Sequence, residues 1–349
     1  MRKICNKRIL SLCCLLILTL SLVFGIEFTF NIENITDATS AKAMCVMEAG
    51  SKRVFYTQNE QTKLPMASTT KIMTAITAIE NCDDLDKNFE ISPKSVGISG
   101  TSLYLRKGEV MSTRDLLYGL MLISGNDASV AIGEHISGSS KKFIELMNST
   151  AVKIGAKNTH FDNTHGLDSN THYTTAYDLA LITSYAMQND IFKEIVSTQN
   201  KKITNTEGKV RYLKNKNKLL TRLEGCCGVK TGFTNDAGRC LVSSCERDGM
   251  TVVCVVLNCG PMFEESEELL ERAFKEYQLF DLTKNYSFNN YINVSNGRVD
   301  KIEIGTKEKF LYPLKIEELT KVDYVYNIQD NIEAPVNKGD EVGEVKIFI

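Results

Sequence analysis

Apolar positions along the chain follow helical spacing in some stretches and strand-like alternation in others. Residues 72–80 contain no glycine or proline and are apolar on nearly all sides, which predicts a helix buried in the middle of a domain. Before it, residues 44–47 and 53–56 read as two strands joined by a turn at residues 48–51. We therefore expect a hairpin that leads directly into a buried helix.

A second helical region begins at a capping-box sequence that starts with Ser112, and its apolar pattern ends near Ile123. A short break follows, and residues 128–136 resume the helical pattern. Ser124 and Asn126 are therefore predicted to lie in a tight connection between helices. Side chains in such a connection can point at a neighbouring element.

Strand patterns dominate the next part of the chain. Residues 226–234 predict one strand, and residues 240–244 and 250–258 predict a hairpin closed by a two-residue turn at 248–249. Residues 263–280 form an amphipathic, glutamate-rich pattern typical of a helix. The order of elements along the chain is helices first, then strands, then a helix. This order predicts an α/β fold in which helices pack on a sheet, not a regular series of βαβ units.

After residue 280 the pattern changes to short alternating strands, such as residues 299–304 and 343–348. This change predicts a small, separate all-β domain without obvious chemistry of its own. We place the main domain at residues 41–280 and the β domain at residues 284–349.

The N-terminus has the composition of an export signal. Basic residues precede an uncharged, leucine-rich run at residues 9–24, so residues 1–25 are predicted to be a signal peptide or an N-terminal membrane segment. Removal of this leader changes the formal charge from −2 to −6. A mildly acidic exported protein is a poor nucleic-acid binder.

Eight of the 11 cysteines lie outside this leader, and their spacing does not suggest a disulfide framework. If the turn at 248–249 closes the hairpin, Cys245 faces Val252 and Cys254 faces Ser243, so neither cysteine has a partner directly across. We expect the cysteines to act as small buried hydrophobic residues. A cysteine metal site is not expected, because no pair has the two-residue gap typical of zinc sites.

Three histidines, His160, His165 and His172, share one loop-like stretch. Their spacing fits neither one helical face nor a usual pair of metal ligands, so we favour loop packing and hydrogen bonding over metal binding.

Candidate chemistry centres on Ser68 and Lys71, at the head of the predicted buried helix. Residues i and i+3 share a helix face, so the Lys71 amine can reach the Ser68 hydroxyl and, if neutral, can take its proton. The pattern alone is weak, because Ser139 and Lys142 repeat it in a polar stretch that reads as a solvated turn. Without further partners, a helix cap and a surface charge are favoured over catalysis.

Lys230, Thr231 and Gly232 add a cation, a hydroxyl and a glycine on the predicted strand. Lys230 could hold a carboxylate. Without a side chain, Gly232 would let a substrate backbone approach closely and pair as an added strand.

Together these sites form the motif trio Ser-x-x-Lys, Ser-x-Asn and Lys-Thr-Gly, in that order. The surrounding sequence, from Leu64 to Thr74, at 124–128, at His165-Gly166-Leu167-Asp168 and at 230–238, resembles the low-molecular-mass penicillin-binding proteins that are serine-type D-Ala-D-Ala carboxypeptidases. The resemblance covers about residues 41–280, and the β tail is also similar to that family's C-terminal domain. It implies a penicillin-binding, β-lactamase-like transpeptidase domain followed by a small all-β domain.

The resemblance implies a role for each motif residue. Ser68 would attack the carbonyl between the two terminal D-alanines of a peptidoglycan stem peptide and form an acyl-enzyme. Lys71 would act as the general base, Ser124 would relay a proton to the leaving amine, and Asn126 would orient Lys71 and the peptide amide.

For substrate binding, Lys230 and Thr231 would hold the terminal carboxylate on the Lys-Thr-Gly strand that Gly232 completes. The backbone N–H groups of Ser68 and Phe233 would form the oxyanion hole. No cofactor is implied. The implied ligands are peptidoglycan stem peptides and inhibitory β-lactams, and the implied location is the cell wall or the outer face of the membrane, with membrane association possible through the N-terminal segment.

Two departures from the family pattern leave alternatives open. An acidic position before the Lys-Thr-Gly strand is Cys227 here, and an arginine that often precedes the Phe-Glu-Glu-Ser run is Met262. A catalytically weak penicillin-binding scaffold is therefore one alternative. A serine β-lactamase is less favoured, because the comparable loop offers Asp162 and Asp168 but no clear glutamate for deacylation.

Overall fold

The computed structural model describes residues 39–285 and 290–349. Within them, the main sheet has five strands: β1 (Ala43–Glu48), β2 (Val54–Gln58), β7 (Cys226–Thr234), β8 (Gly238–Arg247) and β9 (Met250–Leu257). All neighbouring pairs are antiparallel, and the strand order is β2-β1-β9-β8-β7. The predicted hairpin at the start of the domain is confirmed, and β7 lies at one edge of the sheet.

Seven α-helices accompany this sheet in the described part of the chain. They are α1 (Lys71–Asn81), α2 (Thr113–Tyr118), α3 (Asn126–Ser137), α4 (Ser140–Ile154), α5 (Ala176–Ala186), α6 (Asp190–Ser197) and α7 (Met262–Glu276). A π-helical turn, Gly119–Ile123, extends α2. The predicted cap is confirmed, because the Ser112 side chain accepts a hydrogen bond from the Asp115 amide.

The central sheet is covered on both faces, which explains why β1 shows no polar alternation. Ala43, Cys45 and Met47 pack into the apolar cluster shared with α1 through α6. Met44 and Val46 point to the other face, into the cluster shared with α7. The result is a three-layer α/β arrangement, as predicted.

Two short hairpins flank the helical side. They are β3 (Asn88–Glu90) with β4 (Val110–Ser112), and β5 (Asn200–Thr204) with β6 (Val210–Lys214). A buried ion pair joins these hairpins, because Arg211 on β6 donates to both carboxylate oxygens of Glu109, at 2.6 and 2.8 Å.

The C-terminal part is all-β, as predicted. Its strands are β10 (Gln278–Asp281), β11 (Tyr291–Ser295), β12 (Lys301–Glu303), β13 (Leu311–Leu314), β14 (Asp323–Ile328), β15 (Asn331–Glu333) and β16 (Gly343–Phe348). They form three small sheets, β10-β13, β12-β11-β15 and β14-β16.

Two predicted elements need correction. The helix predicted over residues 263–280 ends at Glu276, because Tyr277 takes an extended conformation and stacks on the Phe55 ring at 3.9 Å. The chain then continues as β10, which pairs with β13. The stretch at Ser139, predicted to be a solvated turn, instead begins α4, where the Ser139 hydroxyl caps the helix.

The predicted register of the β8–β9 hairpin is confirmed: Cys245 faces Val252, and Cys254 faces Ser243. Both cysteines are fully buried, in agreement with a hydrophobic role. On its other side, however, β8 pairs with β7, and there Cys245 faces Cys226. The expectation that Cys245 has no partner across the sheet was therefore wrong for that neighbouring strand.

The predicted leader at residues 1–25 lies outside the described residues. Among the helices that the structure describes, none has the length and apolarity needed to cross a bilayer.

Candidate active site

Ser68 lies in a 3₁₀ turn, Ala67–Thr70, that runs directly into α1. The preceding residue, Ala67, has a left-handed backbone (φ +47°), which is uncommon for a residue other than glycine. The Thr70 hydroxyl donates to the Ala67 carbonyl at 2.8 Å and helps to hold this conformation. Gly166 packs so closely behind the turn that a Cβ there would lie 1.8 Å from the same carbonyl oxygen. The strained turn leaves Ser68 half-buried at the helix start.

Lys71 is completely buried, and its amine contacts three groups. Nζ lies 2.9 Å from the Ser68 hydroxyl oxygen, 2.7 Å from Asn126 Oδ1 and 2.6 Å from the His165 carbonyl oxygen. The last two groups can only accept a hydrogen bond, so in a neutral amine they occupy both N–H groups. The nitrogen lone pair is then left for the Ser68 hydroxyl proton. This geometry is what a serine–lysine nucleophile and base require.

The pKa of the Lys71 amine is held well below its usual value. Burial is the main cause, and the positive charges of Lys230 and Lys216 add to it, whereas Asp127 acts in the opposite direction. Among the residues that the structure describes, no carboxylate forms an ion pair with Lys71. A neutral amine is therefore favoured at this position.

The second motif lies where predicted, in the connection between α2 and α3. Asn126 begins α3 and reaches Lys71, as described above. Ser124 has a left-handed backbone (φ +72°), and its hydroxyl is buried without a hydrogen-bond partner among the described groups. An unpartnered buried hydroxyl is costly, so Ser124 is ready to bind a group that is not part of the resting site.

Asp127 fastens a neighbouring loop to this motif. Its buried carboxylate accepts hydrogen bonds from the Ser102 hydroxyl (2.6 Å) and from the amides of Leu103 (2.9 Å) and Leu105 (3.0 Å). Asn126 adds a bond from its side-chain amide to the Ser99 carbonyl at 2.6 Å. The loop at residues 99–105 is thus fixed beside the site, although the sequence analysis gave it no role.

The third motif lies on the edge strand β7. Lys230 is only 1% exposed, and its amine donates to the Thr231 carbonyl at 3.0 Å. Burial, with the charge of Lys216 as a second cause, lowers the pKa of Lys230 to about 7. Thr231 is half-buried and Phe233 is 64% exposed. In the described part of the chain, the outer edge of β7 pairs with no other strand, so this edge can accept an added strand.

The reason given for Gly232 needs correction. A Cβ at Gly232 would lie 3.1 Å from the Ala67 Cβ, 3.1 Å from the Ser68 amide nitrogen and 3.2 Å from the Met66 carbonyl oxygen. The space freed by the missing side chain is therefore used by the turn that carries the nucleophile, not by a substrate. Gly232 allows the first and third motifs to pack against each other.

Lys216 was missed by the sequence analysis. It follows β6, and its charge lowers the pKa of both Lys71 and Lys230, which places a third lysine near the site. Its loop is fixed on both sides, because Asn215 donates to the Val196 and Thr198 carbonyls and Asn217 donates to the Gly228 carbonyl at 2.7 Å. In the sequence, Lys216 is one of several lysines in a polar run, with no signal to distinguish it.

Two of the loop histidines support the site from behind. His165 offers its carbonyl to Lys71, as noted above. His172 Nδ1 accepts the Asp162 amide at 3.0 Å, and this bond leaves Nε2 as the donor to the Thr70 hydroxyl at 2.8 Å. Burial lowers the pKa of both imidazoles to about 4. Among the described residues, no group of three or more His, Cys, Asp or Glu side chains is arranged to hold a metal ion.

The two departures from the family pattern occupy packing positions. The Cys227 thiol lies 3.4 Å from the Ser244 carbonyl oxygen, and burial raises its pKa to about 11. Met262 begins α7 and packs on the apolar cluster beneath that helix.

Comparisons with known proteins agree with this geometry. Residues 31–260 match the family described as D-alanyl-D-alanine carboxypeptidase, and residues 274–349 match the C-terminal domain of penicillin-binding protein 5. The D-alanyl-D-alanine carboxypeptidase DacF of Bacillus subtilis is 32% identical over 314 residues, which are 88% of this chain and 81% of the relative. DacC of Escherichia coli is 31% identical and covers 90% of this chain and 82% of its own length.

Solved structures show the same fold. Penicillin-binding protein 5 from Haemophilus influenzae superposes with a TM-score of 0.75 at 26% identity, over 89% of this chain and 93% of that one. The carboxypeptidase DacD from Francisella tularensis gives a TM-score of 0.71 at 26% identity and covers 89% of each chain.

Proposed function

Because the chain belongs to the D-alanyl-D-alanine carboxypeptidase family, we propose that it removes the terminal D-alanine from peptidoglycan stem peptides through an acyl-enzyme on Ser68. The observation that carries this proposal is the buried Lys71 amine, 2.9 Å from the Ser68 hydroxyl oxygen. Both of its other contacts are to acceptors, so its lone pair can take only the serine proton.

Acylation begins when neutral Lys71 takes the Ser68 proton and the serine oxygen attacks the carbonyl between the two D-alanines. The developing oxyanion is bound by the backbone N–H groups of Ser68 and Phe233. Asn126 and the His165 carbonyl hold the amine in place during this step. The close packing of Gly232 against the Ser68 amide supports this assignment, because it brings the two proposed N–H donors into one region.

The leaving D-alanine needs a proton on its amine, and Ser124 relays it. The unpartnered Ser124 hydroxyl supports this role, because the substrate amide would supply the missing hydrogen bond. Lys230 and Thr231 bind the terminal carboxylate, with the positive charge of Lys216 nearby. Water then hydrolyses the acyl-enzyme and releases the shortened peptide, without a cofactor.

We extend the proposal to partners and location. The substrate is peptidoglycan, and β-lactams acylate the same serine as inhibitors. The protein acts outside the cytoplasm, in the cell wall or at the outer face of the membrane, after export through its N-terminal segment. The basic and apolar composition of residues 1–25 supports export.

The test is mass spectrometry of the purified full chain with penicillin and, separately, with a peptide that ends in D-Ala-D-Ala. A stable penicillin adduct together with D-alanine release supports the carboxypeptidase. An adduct without peptide turnover supports the weak scaffold, and rapid penicillin hydrolysis supports the β-lactamase.

Ser68→Ala should abolish both the adduct and D-alanine release. Ser139→Ala is a matched control, since Ser139 belongs to the second Ser-x-x-Lys sequence and only caps α4. The control should keep both activities while losing about 1 kcal/mol of stability. Penicillin labelling that survives in Ser68→Ala would place the nucleophile elsewhere.

A further inference from the structure

Two cysteines face each other on β7 and β8, away from the reacting groups. Cys226 is the first residue of β7 and is half-buried, whereas Cys245 on β8 is fully buried. They are direct partners in the antiparallel register, and the Cys226 thiol lies 3.5 Å from the Gly228 carbonyl oxygen. Direct partners on neighbouring strands point to the same face of a sheet, so the two sulfur atoms meet there.

The backbone hydrogen bonds around Cys226 and Cys245 show which kind of antiparallel cross-strand pair they form. The Glu246 amide donates to the Gly225 carbonyl at 2.9 Å, one residue beyond the cysteine pair on each strand. This pattern marks Cys226 and Cys245 as a non-hydrogen-bonded pair, in which the Cα atoms are about 4.5 Å apart. That separation falls within the range of about 4.4–6.8 Å that a disulfide spans. A bond between the two sulfur atoms therefore needs no change of register.

The surroundings favour this pair over other pairings. Both side chains lie in the apolar cluster between the sheet and α7. The neighbouring Cys227 sits at a register shift, and its thiol contacts the Ser244 carbonyl and hydroxyl instead. Interaction with the Cys245 thiol lowers the pKa of Cys226, and interaction with the Cys226 thiol, together with burial, raises the pKa of Cys245. The half-buried thiol is thus the more acidic of the two.

We propose that Cys226 and Cys245 are a disulfide site that joins the edge strand β7 to the interior of the sheet. The oxidant is a low-molecular-mass disulfide, such as oxidised glutathione. The Cys226 thiolate attacks one sulfur of the oxidant, forms a mixed disulfide and releases one thiol. The Cys245 sulfur then displaces the second thiol from Cys226. Two protein thiols are oxidised, the oxidant disulfide is reduced to two thiols, and the two protein protons end on those thiols.

The bond closes a short loop through the β7–β8 turn. It therefore lowers the conformational entropy of the unfolded chain and stabilises the folded state. Among the described strands, β7 pairs with β8 alone, so the bond also fixes the start of the strand that carries Lys230. We expect the thermal midpoint to rise by several degrees on oxidation, with D-alanine release changed less than about twofold. The proposal does not depend on the proposed activity.

The experiment uses the full chain with Cys227→Ser, which removes the ambiguity of adjacent cysteines. The protein is equilibrated with glutathione at a series of oxidised-to-reduced ratios, quenched in acid, alkylated when unfolded and digested with trypsin without reductant. A linked pair of peptides, residues 223–230 with residues 240–247, is expected, and fragment ions should assign the bond to Cys245 and not to Cys240. Reduction should lower the thermal midpoint by several degrees.

Cys226→Ser in the otherwise unchanged chain is the matched variant, and a half-buried serine at a strand end should be tolerated. It should give no linked peptide and a thermal midpoint that does not respond to dithiothreitol. Full alkylation of Cys226 and Cys245 at every glutathione ratio would overturn the proposal. A bond to Cys240, or a midpoint equally insensitive to reductant in the parent and in Cys226→Ser, would also overturn it.

Discussion

The start of α1 and the edge strand β7 each bury a lysine in the same site, but the two regions are built differently. At the start of α1, the Lys71 amine has three hydrogen-bond partners within 2.9 Å, supplied by three separate segments of the chain. On β7, the contact that the structure gives to the Lys230 amine among the described residues is the Thr231 carbonyl, within the same strand. The Lys71 amine is fully hydrogen-bonded before substrate binds, whereas the Lys230 amine keeps donors for a ligand.

This difference separates two tasks. A base must be held in one place and kept neutral. In the proposed mechanism Lys71 meets both needs, because its three contacts fix the amine and burial with neighbouring cations lowers its pKa. A group that reads a carboxylate must keep hydrogen-bonding capacity for the ligand, as Lys230 does. Under the proposed function, the chemistry is therefore preset at the start of α1, whereas β7 is completed by the substrate.

The largest expected effect comes from replacing the base. Lys71→Arg keeps the charge, but a guanidinium cannot be deprotonated in a protein and cannot take the Ser68 proton. Acylation by penicillin should fall by about 10²–10⁴-fold, the usual contribution of a general base. Lys71→Ala should be about equally damaging, with circular dichroism as the control for folding. A near-normal acylation rate in Lys71→Arg would rule out Lys71 as the base.

Gly166→Ala should displace the turn that carries Ser68, because Gly166 packs against the backbone of that turn. A Cβ at Gly166 would lie 1.8 Å from the Ala67 carbonyl oxygen, so the turn that carries Ser68 must move. We expect penicillin acylation to fall at least about tenfold, since small misplacements of a reacting group are costly.

Gly155→Ala is the matched control for this change. Gly155 has a similar backbone angle (φ +96° against +94° for Gly166), but a Cβ there would meet nothing within 4 Å. Both variants pay about 1–2 kcal/mol for a left-handed alanine, and only Gly166→Ala should lose acylation. Equal acylation in the two variants would mean that the close packing behind Ala67 does not position Ser68.

Lys230→Gln tests the proposed role of the edge strand β7 in binding the substrate carboxylate. Loss of a charge-assisted contact in a partly desolvated site costs about 1.5–3 kcal/mol, or roughly ten- to a hundredfold in kcat/KM. This loss is expected for a peptide that ends in a free carboxylate and should be much smaller for the amide-terminated analogue. Equal losses for both peptides in Lys230→Gln would mean that Lys230 tunes Lys71 and does not read the carboxylate.

The start of α1 could be predicted from sequence because its key relation is local. Ser68 and Lys71 are one helical turn apart, so the spacing alone brings the hydroxyl and the amine together. The β8–β9 register was equally accessible, since a two-residue turn fixes it. The β7–β8 register was not, because a bulge near Cys227 shifts the pairing. The Cys226–Cys245 pair was missed for that reason.

Contacts between segments that are distant in the chain could not be predicted from the sequence either. The His165 carbonyl reaches Lys71 across 94 positions of the chain, and a backbone oxygen carries no mark in a sequence. Helices α4 to α6 were not predicted, and part of this region was interpreted only as a loop. The role of Gly232 was misassigned, since the turn that fills its missing side chain lies far away in sequence.

Lys216→Gln is the finest test of how the two regions are coupled. Lys216 lowers the pKa of Lys71, so its removal should let Lys71 hold its proton to higher pH. The base works only when neutral, and the acid limb of kcat/KM should therefore move to higher pH while the high-pH plateau stays unchanged. At neutral pH kcat/KM should fall about two- to fivefold, as expected for one solvent-facing charge, and this loss should be smaller in high salt.

Lys214→Gln, on an exposed lysine two residues away, is the matched control and should leave the acid limb in place. A lower plateau in Lys216→Gln, with no shift of the acid limb, would mean that Lys216 contacts the substrate and does not act through the charge of Lys71.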